Sequence, residues 1–262
     1  MLQAHSFLWH YLWVGPNLLL LFLAFLLYRR KLHTIYPFFF AFALIGSLEQ
    51  LTLYAADVIP SVTPATWWHI YWAGLMVEAV LKFGVVAEIF AHVFNSYSAI
   101  AKLGRTLISG VGVVLVFTAA ILAAFAPKNG HFGIVFGAHL LDQTVYLVES
   151  GLLLFIFLFS AYFHLSAGRR VFGIAFGLAI SACVHLATWA VMANGGLQTQ
   201  RDLLDLLNMA TYHLSVLIWY EFLLVPGRDR VFESGLASDS LGARLEGHLA
   251  DWNDELERLL KQ

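Results

Sequence analysis

Of 262 residues, 60% are hydrophobic and only 12% are charged, against about a quarter charged in soluble domains. That composition, with a mean hydropathy of +0.75, excludes an ordinary soluble domain and points to a membrane protein. A net charge of −2 with no basic patch argues against a nucleic-acid binder. The one cysteine, Cys183, excludes an intramolecular disulfide and a cysteine-based zinc site.

The first stretch, MLQAHSFLWHYLWVGPN, has no Lys or Arg and no small-residue cleavage site, so it reads as mature chain rather than a secretory signal. A hydrocarbon core about 30 Å thick needs about 20 apolar residues per helix. Seven runs qualify: 9–28, 36–58, 67–94, 105–126, 139–164, 170–193 and 203–225. Each is expected to be helical, because lipid offers the backbone no hydrogen-bond partner. The expected fold is all-α: an integral membrane seven-transmembrane-helix bundle over residues 1–228, followed by a cytoplasmic linker and amphipathic helix over 229–262.

Basic residues set the direction. Arg29, Arg30 and Lys31, then Lys102 and Arg105, then Arg169 and Arg170, and finally Arg228 and Arg230 fall on one side of the seven runs. Only Lys128 and Arg201 fall on the other. Such a bias predicts the N-terminus outside and the C-terminus in the cytoplasm, in a plasma membrane of the bacterial inner-membrane kind. Trp67, Trp68, Tyr71 and Trp72 at the outer end of the third run, with Trp9, Tyr11 and Trp13 in the first, suit an interfacial aromatic belt. A faint internal repeat relates runs one to three to runs five to seven. It aligns VVAEIF with WYEFLL, pairing Glu88 with Glu221, and FALIGSLEQL with LAISACVHLA, pairing Glu49 with His185.

The apolar runs carry an unusual set of ionisable groups. In the third run Glu78, Lys82, Val85, Ile89 and His92 share one stripe at 100° per residue, with Glu88 at its border. Glu78 precedes Lys82 by four residues, the better order for a helical ion pair. At 1.5 Å per residue, Glu49, Glu78, Lys82, Glu149, His185 and His213 fall in the middle or outer half of the membrane. An unpaired charge at the centre costs about 2.5–3.5 kcal/mol on insertion scales, so these groups are paired, neutral or wet. Three carboxyls against one lysine call for a protonated carboxyl or a charged histidine. The expected site is a ligand pocket or proton network, open to the outside, built from Glu49, Glu78, Lys82, Glu149, His185, Asn208, Tyr212 and His213. Any one of them is equally well explained as an interhelical hydrogen bond, worth about 0.6 kcal/mol; their concentration on five helices favours a site. Glu88, Glu221, His92 and His164 are expected near the cytoplasmic interface, with their polar ends in water.

Several chemistries fit poorly. A retinal Schiff base needs a lysine in the last run, and 203–225 has none. No acid-Arg-Tyr closes the third run, and no Asn-Pro-x-x-Tyr the seventh, as in G-protein-coupled receptors. The three-plus-one-plus-three plan resembles that of a sugar-transporter family, but runs five and six lack that family's prolines. No H-E-x-x-H or other catalytic motif occurs, which argues against an enzyme. Bis-histidine haem needs two facing histidines at one depth; His185 with His213 is the mid-membrane candidate, with His69–His139 and His92–His164 nearer the surfaces.

After Pro226 and Gly227, GRDRVFESGLASDS reads as a linker and SDSLGARLEGHLADWNDELERLLKQ as a helix that Ser238, Asp239 or Ser240 can cap. Leu245, Leu249, Trp252, Leu256 and Leu259 form a short coiled-coil-like seam. Residues 229–262 hold eight acids and four bases, unlike the basic helices that lie on anionic lipid. Residues 240–261 are therefore expected to bind a cytoplasmic protein partner or to self-associate. The topology and the helical exit resemble the seven-span sensor regions that precede bacterial histidine kinases. That resemblance implies a sensor or receptor-like module for an unidentified small molecule or a proton. The alternatives are a proton-coupled transporter, and a haem- or pigment-bearing or scaffold subunit of a membrane complex.

Overall fold

The computed structural model describes residues 6–94, Thr106, Gly110, 131–162, 168–193 and 201–225. These contain six α-helices: α1 (Phe7–Arg29), α2 (Pro37–Val58), α3 (Pro64–Val93), α4 (His131–Tyr162), α5 (Arg169–Ala193) and α6 (Arg201–Leu224). A 3-10 turn, Leu32–Thr34, links α1 to α2, and no strand occurs among the described residues. Three helical segments are long and apolar enough to cross a membrane: α1, α2 and Arg169–Val191 of α5. Six of the seven apolar runs thus coincide with helices. Most of the run 105–126, and the whole of 226–262, lie outside the described residues.

Local chemistry sets the helix ends. Ser6 caps α1 by accepting from the Trp9 N–H at 3.3 Å. Thr63 caps α3 by accepting from the Thr66 N–H at 3.2 Å, with Pro64 in the first turn, where its missing N–H costs nothing. α4 begins at His131 rather than near 139, because HFGIVFGA holds no proline to delay it.

The helices pack in chain order, each against the next, and α6 returns to α1 to close a ring; α3 also touches α5. Close approach is bought with small residues, as membrane helices without a hydrophobic driving force require. A Cβ on Gly173 or Gly177 of α5 would collide with Phe222 or Trp219 of α6. Trp219 fills the middle, edge-on to Phe39 and Phe42 of α2, and its indole N–H donates to the Ile174 carbonyl at 3.3 Å.

One end of the ring is basic. Arg30 donates to the Leu224 carbonyl at 2.9 Å, and Arg169 pairs with Glu221 at 2.8 Å. These contacts bring the end of α1, the start of α5 and the end of α6 together. Glu88 of α3 accepts from the Phe38 and Phe39 N–H groups at the start of α2, at 3.3 and 3.1 Å. The expectation that Glu88 reaches water is corrected: it is 8% exposed, held by the unpaired amides and partial positive charge of a helix N-terminus. His92 is exposed, in keeping with its expected reach to water and not with a place on the inward stripe.

α4 runs parallel to α3. Val145 packs with Leu75 and Phe83, while Ile156 joins the core around Val85 and Ile89. The first three helices and the last three therefore repeat one pattern: toward the basic end, away, and back. The Glu88–Glu221 correspondence matches it, since each carboxylate meets the first turn of the second helix in its own half. Glu49 and His185 do not correspond. Glu49 lies over Gly74 of α3, whereas His185 turns to α4.

Candidate functional site

Four polar residues from four helices lie in one layer. Asn17 is twelve residues before the end of α1, Lys82 eleven before the end of α3, Glu149 thirteen before the end of α4 and Tyr212 twelve before the end of α6. At 1.5 Å per residue they stand about 16–20 Å from the basic end. Glu49 of α2 lies farther out, over Gly74 of α3.

Lys82 is the hub. Its Nζ lies 3.0 Å from Glu78 Oε1 on the preceding turn and 3.8 Å from Glu149 Oε2 on α4. The Lys82 and Glu149 side chains are 6% and 2% exposed, and Glu78 is 22% exposed. The ammonium also stands 3.7 Å from the centre of the Tyr146 ring, a cation–π contact strengthened by exclusion of water. Tyr146 in turn stacks on His185 of α5, with centroids 3.9 Å apart. His185 Nε2 accepts from the Trp189 indole N–H at 3.1 Å. An aromatic column thus carries the lysine's environment from α3 through α4 to α5.

α6 completes the enclosure. Tyr212 lies within electrostatic reach of Glu78, Lys82 and Glu49, and its hydroxyl donates to Asn17 Oδ1 at 3.3 Å. Asn208 sits one turn farther from the basic end, where Thr188 Oγ1 lies 3.0 Å from its Oδ1. Glu49 takes the space that any side chain at position 74 would need, so Gly74 gives the carboxylate its place beside α3.

Of the residues singled out in the sequence, Glu49, Glu78, Lys82, Glu149, His185 and Tyr212 come together. Asn208 is on the margin. His213 is apart, its ring 5.8 Å from that of Tyr11 on α1 and its Nδ1 buried without a hydrogen-bond partner among the described residues. His185 and His213 therefore face different neighbours, and His185 Nε2 is taken by Trp189; this arrangement does not fit a haem iron between them. No group of three or more His, Cys, Asp or Glu suited to a metal ion occurs among the described residues.

Asn17, buried and central, was not among the expected site residues. Its signal is the lone amide after Pro16 in LWVGPNLLLL. Pro16 has no N–H and leaves a turn of α1 without one backbone bond. Asn17 Nδ2 donates to the Trp13 carbonyl at 2.6 Å, next to the Leu12 carbonyl that Pro16 leaves without its helical donor, and Oδ1 is presented to Tyr212.

In comparisons with known proteins the chain matches no family model, no curated protein and no solved structure.

Proposed function

We propose that the chain is a seven-transmembrane-helix sensor, a receptor-like binding module with its N-terminus outside and its C-terminus in the cytoplasm. Its site is the Lys82 cluster, open to the outer face of a bacterial-type plasma membrane and matched to a small polar ligand or a proton. Its output runs through α6 to residues 240–261 and a cytoplasmic partner. The observation that carries this reading is the hydrogen bond of Tyr212 to Asn17 beside the cluster, within electrostatic reach of Glu78 and Lys82, because α6 is the helix that leads into the tail. Seven crossings are supported by the parallel α3 and α4: the chain between two parallel neighbours has to return from one end to the other. The gathering of Arg29, Arg30, Lys31, Arg169 and Arg170 at one end supports a cytoplasmic assignment for that end.

One observation favours a second reading, a proton-coupled carrier. The repeated α1–α3 and α4–α6 pattern with its Glu88 and Glu221 contacts suits the parallel repeats of some transporters.

A spin label on Gly227→Cys, in a Cys183→Ser background, tests the sensor reading with the proton as probe. Stepping from about pH 7.5 to about pH 5.5 should change label mobility in the parent, and not when Glu78→Gln, Lys82→Met and Glu149→Gln are combined. An identical response in both proteins refutes a route from the cluster to the tail.

A further inference from the structure

The basic end holds more positive charge than the bundle itself neutralises. Arg29, Arg30, Lys31 and Arg170 are exposed, and Arg169 is partly so. Arg169 is paired with Glu221 and Arg30 is engaged by a carbonyl. Arg29, Lys31 and Arg170 have no carboxylate partner among the described residues. The two hydrogen-bonded arginines fix where this charge lies: on both sides of the end of α6, the helix from which the tail departs. Exposed Tyr28, Ile35 and Val225 add apolar surface to the same rim.

We infer that residues 240–261 dock on this rim in their own chain, with Asp251, Asp254 and Glu255 against Arg29, Lys31 and Arg170. The inference concerns the opposite end of the bundle from the proposed outer opening and stands whether or not the Lys82 cluster binds a ligand. Charge complementarity argues for it: the segment 229–262 has eight acids against four bases. Its spacing argues the same way. Asp251, Asp254 and Glu255 share one face in a helical register, turned about 130° from the Leu249–Trp252–Leu256 seam. Reach is sufficient. Fourteen residues, 226–239, are enough to span about 20 Å, and neighbouring helix axes are only about 8–10 Å apart. Exposed ion pairs are individually weak. Tethering offsets this, because a short linker supplies an effective concentration of about a millimolar.

Disulfide trapping tests the contact on the full chain. Gly168→Cys, at an open position beside the rim, is combined with Gly247→Cys, on the acidic face one turn before Asp251, in a Cys183→Ser background, in phosphatidylcholine nanodiscs. Docking predicts an intramolecular disulfide that forms several-fold more slowly when salt is raised from about 50 mM to about 500 mM. Asp251→Lys, Asp254→Lys and Glu255→Lys together should slow it equally. Adding Arg29→Glu, Lys31→Glu and Arg170→Glu should restore it. A disulfide between two chains overturns the inference in favour of self-association. Loss of the disulfide in phosphatidylglycerol-rich discs overturns it in favour of anionic lipid as the rim's occupant. A rate indifferent to salt and to charge reversal also overturns it.

Discussion

Replacing Lys82 by Met should be among the most damaging single changes in the bundle. The Lys82 ammonium is 3.8 Å from the Glu149 carboxylate and 3.0 Å from Glu78. At an effective dielectric constant of about 20, those separations correspond to about 4 and about 5.5 kcal/mol of attraction. Desolvation of each ion, several kcal/mol, offsets most of it in the intact cluster. Removing the lysine abolishes the attraction but leaves Glu149 buried, for an expected loss of about 3–5 kcal/mol. Lys82→Met with Glu149→Gln removes that orphan, and Glu78, at 22% exposed, can turn toward solvent. The double variant should therefore be more stable than the sum of the singles by about 2–3 kcal/mol. Glu78→Gln alone should cost less than Lys82→Met, because Glu149 remains to balance the lysine. Unfolding in mixed micelles titrated with dodecyl sulfate, followed by circular dichroism, measures the parent and all four variants. Additive losses for Lys82→Met and Glu149→Gln would refute the account of the cluster as an interdependent unit.

Five other changes report on the frame around it. Gly173→Ala and Gly177→Ala push a methyl into Phe222 and Trp219 and should each cost about 1–3 kcal/mol; Gly151→Ala, with open space around it, should be neutral or slightly stabilising in the same titration. Glu88→Ala strips the carboxylate from the Phe38 and Phe39 N–H groups and should cost about 1–3 kcal/mol, with faster amide exchange confined to the first turn of α2. Lys31 has a φ of 56°, the one positive value for a non-glycine residue among the described positions, so Lys31→Gly should stabilise the chain by about 1 kcal/mol, read as a higher thermal midpoint.

Much of this arrangement is legible in the sequence because two strong periodic signals coincide. Apolar runs long enough for a helix mark the elements, and the i, i+4 spacing of Glu78 and Lys82 sets the ion pair before any tertiary contact is known. Glu149 is equally visible on its own helix, but its role as the lysine's second partner depends on the parallel packing of α3 and α4, which no local pattern encodes. Glu88 illustrates the limit of depth arguments. Its distance from the helix end suggested water, whereas the amides of α2 supplied a better partner. Asn17 was hidden for a related reason: beside a proline it reads as helix repair, and only the crossing of α6 over α1 turns its free oxygen toward Tyr212. His213, the residue after Tyr212 in the sequence, turns to Tyr11 because α6 packs against α1 as well as α5.

The central claim is that the Lys82 layer opens to the outer face and not to the basic end. Glu49 lies beside the cluster, over Gly74, and its replacement leaves Lys82 its Glu78 and Glu149 partners, so Glu49→Cys in a Cys183→Ser background reports access. A membrane-impermeant maleimide is applied to intact cells and, separately, to inverted vesicles. The account predicts labelling in intact cells and protection in inverted vesicles. Labelling in the inverted vesicles alone would contradict it, and labelling from both sides would replace the sensor with the carrier.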